Sequence, residues 1–291
     1  MAALRGVITA MITPFDEAGG LDEEAARRLA RHLVEHGSHG LVVSGTTGES
    51  PTLSADETLA LLRAVRQEVG EEAVLICGTG SNDTRHAADL TRAVAEAGAD
   101  AALVVAPYYN KPNRAGLRAH YEAVAEAAPE LPIVLYNIPS RVVVNMDPEL
   151  LAELASIENV VAVKQANNDE LGPVEGLAVL AGNDDTFLRT LEFGGAGGIL
   201  VASHLVGDRM REIWDAAQEA DFERAREIDA ELQPVYAALG VTTNPIPVKA
   251  AMEMVGLDSG RMRLPMVAAD ERQRAAIRPA LEQAGLLAAA G

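Results

Sequence analysis

The sequence predicts an α/β fold, a single (β/α)8 TIM barrel with a C-terminal helical extension, on three observations. Eight short apolar runs rich in Val, Ile and Ala recur, beginning near Gly6, Gly40, Ala73, Asp100, Pro132, Val160, Leu177 and Gly197. Helix-like stretches alternate with these runs, which is the pattern of eight βα units. The chain has 291 residues, somewhat above the ~250 typical of such a barrel, and no further strand pattern follows Asp221. Residues 1–220 are therefore expected to form the catalytic barrel. Residues 221–291 are expected to add about three helices.

The runs are continuously apolar rather than alternating, as suits parallel strands covered on both faces. Between them, helices are predicted at Asp22–Glu35, Ser54–Val69, Thr84–Ala97, Leu117–Ala127 and Pro148–Ser156. Ser54 with Glu57 three residues on is a capping-box signature, and Asp147 before Pro148 is a second helix start. Gly70 and Gly98 stand where helix stops belong. A doubly wound open sheet is the competing architecture. It usually carries a phosphate or dinucleotide loop after its first strand, and none is present.

Composition narrows the function. The 24 basic and 43 acidic residues give a net charge of −19, which argues against a nucleic-acid partner, since that needs a basic face. No stretch reaches the ~18 uninterrupted apolar residues of a membrane span, and the N-terminal run lacks a signal-peptide layout. One cysteine, Cys77, excludes an internal disulfide. It reads as a small buried strand residue in a reduced, cytoplasmic protein. Only Lys111, Lys164 and Lys249 are lysines among the 24 bases. Where arginine is the default cation, each lysine merits scrutiny, because arginine cannot replace an amine that must lose its proton.

In a (β/α)8 barrel the active site lies at the C-terminal ends of the strands. Three of the five tyrosines, Tyr108, Tyr109 and Tyr136, fall at such ends. Lys164 follows the apolar run Val160–Val163 and is expected to be partly desolvated. Desolvation favours the neutral amine, which can attack a ketone to form an imine. Tyr136 closes the neighbouring strand, where a phenol can relay protons. Tyr108 and Tyr109 share a proline-bounded loop, and position alone does not decide which serves the site and which an interface. Lys111 on that loop reads as solvated or interfacial. The turn Gly45-Thr46-Thr47-Gly48 could cradle a carboxylate through its amides and hydroxyls, or be a plain tight turn. Arg141 could grip a second carboxylate or be a surface arginine. His32, His36 and His39 cluster before the second strand, at the wrong end of a barrel for catalysis, and read as packing or solvated residues rather than a metal site.

The set GTTGES (45–50), PYYNKP (107–112), LYNIPSR (135–141), VK (163–164), NPIPVK (244–249) and RLP (263–265) resembles the dihydrodipicolinate synthase family. That family belongs to the class I pyruvate aldolases, with N-acetylneuraminate lyase. The motifs occur in order over nearly the whole chain. The resemblance implies a lyase in which Lys164 forms a Schiff base with pyruvate. The resulting enamine attacks L-aspartate 4-semialdehyde, for diaminopimelate and lysine biosynthesis. It implies that Tyr136 shuttles protons, that Thr46 links Tyr136 to Tyr109 from a neighbouring subunit, and that Thr47 holds the pyruvate carboxylate. Arg141 would bind the semialdehyde carboxylate, with Gly182 and Ile199 lining the pocket through their backbones. No cofactor or metal is implied. The implied assembly is a homotetramer built as a dimer of dimers.

Two departures from the family pattern stand out. Gln165-Ala166-Asn167-Asn168 replaces a common Glu-Ala-Ser/Thr-Gly, and Leu200 replaces a common Ser after Ile199. Both are expected to tune the second substrate. Ser50, Asn82 and Tyr108 match positions of the family's lysine-feedback site. His86 stands where an acidic residue is usual, and Ala55 and Thr58 replace histidines. Weak or absent lysine inhibition is therefore expected. Two alternatives remain at this stage: a related aldolase cleaving N-acetylneuraminate or a 2-keto-3-deoxy sugar acid, and a non-catalytic binding protein on the same barrel.

Overall fold

The computed structural model describes residues 4–288. Residues 1–3 and 289–291, which belong to the two predicted ranges, lie outside the described residues. The order of elements is β1 (Gly6–Ala10), α1 (Glu23–Glu35), β2 (Gly40–Val43), α2 (Ala55–Val69), β3 (Val74–Gly78), α3 (Thr84–Glu96), β4 (Ala101–Val105), α4 (Arg114–Ala127) and β5 (Ile133–Asn137). There follow α5 (Pro139–Val142), α6 (Pro148–Leu154), β6 (Val160–Gln165), β7 (Ala178–Ala181), α7 (Phe187–Glu192), β8 (Gly197–Leu200), α8 (Ser203–Gln218), α9 (Phe222–Leu239), α10 (Ile246–Val255) and α11 (Glu271–Gln283).

The eight strands pair in parallel in chain order, and β8 returns to β1 to close the barrel. The predicted fold class is borne out. Strands β1, β2 and β5 are buried at every position, which is why their sequences are unbroken apolar runs. Helix α1 buries Ala26, Leu29, Ala30 and Leu33 against the barrel, the i, i+3, i+4, i+7 spacing of one helical face. Each fully buried Leu or Val of this kind contributes roughly 1.5–3 kcal/mol through removal from water.

The predicted caps are in place. Ser54 and Glu57 form the reciprocal capping box of α2, and Gly70 ends that helix at φ +53°. Asp147 accepts from Leu150 N at the start of α6. Gly98 follows α3 at φ +92°, a left-handed position open to glycine at little cost. Helix α4 starts at Arg114, three residues before the prediction, because Asn113 caps it by accepting from Gly116 N. The expected alternation fails once. Between β6 and β7 there is no α-helix, only a 3-10 turn at Asn168–Glu170. That connection is short and holds Gly172-Pro173 and Gly176, which break helices.

The chain beyond α8 forms α9, α10 and α11, and it is tied back to the barrel by Arg263. Its guanidinium donates to both oxygens of Glu57, at 3.0 and 2.5 Å, and to the carbonyls of Gly19 and Thr52. It also lies 4.4 Å over the Phe15 ring. These hydrogen bonds from Arg263 hold the Glu57 carboxyl down at about 2, against an ordinary value of 4.5. A carboxyl depressed in the folded state adds stability above its unfolded value, and that stability is lost as pH falls through 4.5 toward 2. Glu57→Gln should therefore lower the melting temperature by a few degrees at neutral pH and have progressively less effect below pH 4.5. Melting curves across that range check this, and parallel wild-type and variant profiles would refute it.

Candidate active site

Two clefts open at the C-terminal rim of the barrel, with Thr46, Ile138 and Arg141 lining both. The larger has a volume of ≈ 550 Å³ and contains Lys164, Tyr136, Thr47 and Gly182 in its lining. It is walled by α9 and the segment after it, through Gln233, Tyr236, Gly240 and Asn244. Lys164 is the fifth residue of β6 and pairs in register with Tyr136 on β5. Parallel pairing therefore puts the two side chains side by side. The Lys164 Nζ lies 4.4 Å from the centre of the Tyr136 ring, and both residues are only 5% exposed. Among the described residues no carboxylate forms an ion pair with this amine. An amine so placed meets a phenol and a cleft, with the Asp184 carboxyl across the same cleft rather than paired to it.

The turn after β2 is braced from below. Thr13 Oγ1 donates to Gly48 O at 2.6 Å. Glu49 N donates to Thr46 O and Ser50 N to Gly45 O. The Thr47 hydroxyl accepts from Asn244 Nδ2 at 3.0 Å. Arg141 is exposed at the cleft mouth on α5, and its Nη2 donates to Asn244 O at 3.0 Å. Asn244 thus bridges the two candidate carboxylate holders. At Gly182, a Cβ would meet Ala166 Cβ at 2.6 Å and Gln165 O at 2.7 Å, so the close approach of β6 and β7 requires glycine. Ile199 is fully buried on β8 and is not among the residues that line this cleft.

The family model of the Dihydrodipicolinate synthetase family matches residues 3–284. The chain belongs to this family. A 4-hydroxy-tetrahydrodipicolinate synthase of Parasynechococcus marenigrum (strain WH8102) is 52% identical over 267 residues, covering 89% of this chain and 88% of the relative. One from Moorella thermoacetica is 45% identical over 97% of this chain and 98% of the relative. Among solved structures, the dihydrodipicolinate synthase of Thermotoga maritima superposes with TM-score 0.94 at 38% identity, covering 99% of this chain and all of that one. The enzyme of Cyanidioschyzon merolae with lysine bound superposes with TM-score 0.93 at 38% identity, over 97% and 99% of the two chains.

Within this dihydrodipicolinate synthetase scaffold the smaller cleft, of ≈ 300 Å³, brings together Ser50, His86, Tyr108, Ala55 and Thr58. Asn82 is not in its lining, and its main-chain carbonyl accepts from Asn110 Nδ2 at 2.8 Å. Tyr109 stands apart from both clefts of this protomer. It is 87% exposed and its φ is +71°, uncommon for a bulky residue. Lys111 beside it is exposed.

The sequence departures also take their places. Gln165 is buried, and its Oε1 accepts from Asn137 Nδ2 and Asn167 N, both at 3.0 Å. Asn168 lines the larger cleft, and its Oδ1 accepts from Asn183 Nδ2 at 2.7 Å. The histidine cluster lies at the opposite end of the barrel. His39 Nδ1 accepts from Val7 N, and His36 meets Asp208 at 2.7 Å. Among the described residues no group of three or more His, Cys, Asp or Glu side chains could hold a metal ion, and no helix is long and apolar enough to cross a membrane.

Several cleft residues escaped the sequence reading, Asp184, Tyr236, Gln233 and Asn244 among them. Asp184 caps the end of β8 by accepting from Val201 N and Ala202 N, and burial pushes its carboxyl up to about 6. Tyr236 on α9 has a buried hydroxyl with no hydrogen-bond partner among the described residues. Burial, followed by the charges of Asp184, Asp229 and Asp185, raises its phenol above the usual tyrosine range. Gln233 and Asn244 complete the wall. Only Asn244 carried a signal, inside the NPIPVK motif.

Proposed function

We propose that this chain is a 4-hydroxy-tetrahydrodipicolinate synthase. It condenses pyruvate with L-aspartate 4-semialdehyde in lysine and diaminopimelate biosynthesis. The observation that carries this reading is the Lys164 amine over the Tyr136 ring, 4.4 Å from its centre and inside a ≈ 550 Å³ cleft. Identity of 45–52% to enzymes of that name supports it.

The Lys164 amine attacks C2 of pyruvate, and the oxygen leaves as water to give the imine. Loss of a proton from the methyl group yields the enamine, whose carbon attacks the aldehyde. The semialdehyde amine then closes on C2 and releases Lys164 with the cyclic product. Tyr136 is the proton shuttle in these steps, Thr47 holds the pyruvate carboxylate and Arg141 the semialdehyde carboxylate. Gly182 lines the pocket where β6 and β7 approach closely. Imine chemistry of this kind needs no metal or organic cofactor.

Tyr109 acts from a second subunit, with Thr46 relaying between it and Tyr136. A large aromatic side chain exposed on a backbone in the left-handed region supports this role. A tyrosine working in trans requires at least a dimer, and the full assembly in this reading is a homotetramer. A reduced cytoplasmic setting suits the lone buried Cys77.

Borohydride reduction in the presence of pyruvate tests the reading. A covalent mass gain on Lys164 supports it, and an unmodified chain refutes it. Parallel assays with aspartate semialdehyde and with sugar-acid substrates separate the synthase from a sugar-acid aldolase. The smaller cleft presents His86, Ala55 and Thr58, a poor set for gripping a lysine ammonium. L-lysine should accordingly inhibit weakly or not at all. Steady-state assays check this, and a submillimolar inhibition constant would overturn it.

A further inference from the structure

We infer that the buried Glu49–Lys249 ion pair positions the turn that receives the pyruvate carboxylate, by locking it to α10. The inference rests on the aldolase reading above. Lys249 is fully buried and Glu49 nearly so. The Lys249 Nζ donates to the carbonyls of Thr13 at 2.7 Å and Arg261 at 2.6 Å, and lies 2.6 Å from Glu49 Oε1. The Phe15 ring covers it, with the ring centre at 4.5 Å. Glu49 Oε2 accepts from Arg263 N at 3.1 Å.

Four facts turn this pair toward the turn rather than toward stability alone. Glu49 sits at φ +56°, a left-handed backbone that costs energy outside glycine and persists where surroundings enforce it. Its amide closes the turn onto Thr46 O, so the side chain that Lys249 grips belongs to the residue that shapes the Thr46–Thr47 backbone. On the other side, Lys249 grips the carbonyl of Thr13, whose hydroxyl holds Gly48 O. The same stretch of chain reaches Thr47 directly through Asn244.

The choice of lysine fits as well. In a chain with 21 arginines and three lysines, a compact ammonium meets three converging oxygens, which a planar guanidinium cannot do. Buried ion pairs are a poor means of stabilising a fold, since apolar replacements often do as well. Holding a geometry is the better account of this one.

The test measures the pyruvate concentration that half-saturates borohydride trapping at Lys164, together with kcat and both KM values. The variants are Glu49→Gln, Lys249→Arg and the charge-free double variant Glu49→Gln/Lys249→Met. Half-saturating pyruvate should rise about tenfold in all three. The kcat should stay within about threefold of wild type, and the semialdehyde KM should not move. Trapping of all variants at wild-type pyruvate concentrations overturns the inference while leaving the aldolase reading intact. Failure of the double variant to fold overturns it too, because the pair would then be a general stabiliser. Failure of wild type to be trapped at all removes the aldolase reading and the inference with it.

Discussion

Lys164→Ala should abolish covalent trapping by pyruvate and borohydride and lower kcat/KM by on the order of 10⁴-fold or more, since removal of a covalent nucleophile leaves only binding and polar stabilisation behind. The fold should survive. Lys164 makes no ion pair among the described residues, and its amine lies over the Tyr136 ring at a cleft. Replacement by alanine removes a charge that Asp184 feels across the cleft, and the Asp184 carboxyl keeps its two main-chain amide donors. Circular dichroism and melting curves should overlay those of wild type closely. Residual trapping would have to modify Lys111 or Lys249. The former is exposed and the latter is enclosed by three oxygens, so a persistent adduct would show that the nucleophile has been misassigned.

Tyr136→Phe should lower kcat by about 10²–10³-fold, the range of a lost general acid–base group, with little change in KM for pyruvate. Phenylalanine keeps the ring that packs against the Lys164 amine, so the shape of the site persists and only the transferable proton is removed. Trapping should still occur, more slowly. A variant whose pyruvate KM rises while kcat is kept would make Tyr136 a binding residue and not a proton carrier. Rapid-quench measurement of imine formation separates the two.

The barrel was legible because both faces of each strand are covered, so burial wrote itself into the sequence as unbroken apolar runs. The capping signals were legible because they are local: Ser54 with Glu57, and Asp147, act within one turn of chain. The β6–β7 connection was misjudged, because a regular repeat invites a helix there although Gly172-Pro173 and Gly176 oppose one. Lys164 and Tyr136 stood out by type and by position at strand ends. Tyr236 did not, and the Asn244–Thr47 and Glu49–Lys249 pairings were hidden although their residues sit in visible motifs, because contacts across about two hundred residues leave no local pattern. The RLP motif was visible as a word without a meaning. Its Arg263 turned out to fasten α2, the β1–α1 loop and the C-terminal segment together.

The contact between Asn244 and Thr47, 197 residues apart in the chain, has a consequence for biosynthesis. A ribosome that has released all eight strands still holds the segment that braces the second rim turn and walls the cleft. The cleft is therefore complete only once the stretch through Asn244 has emerged and docked on the rim.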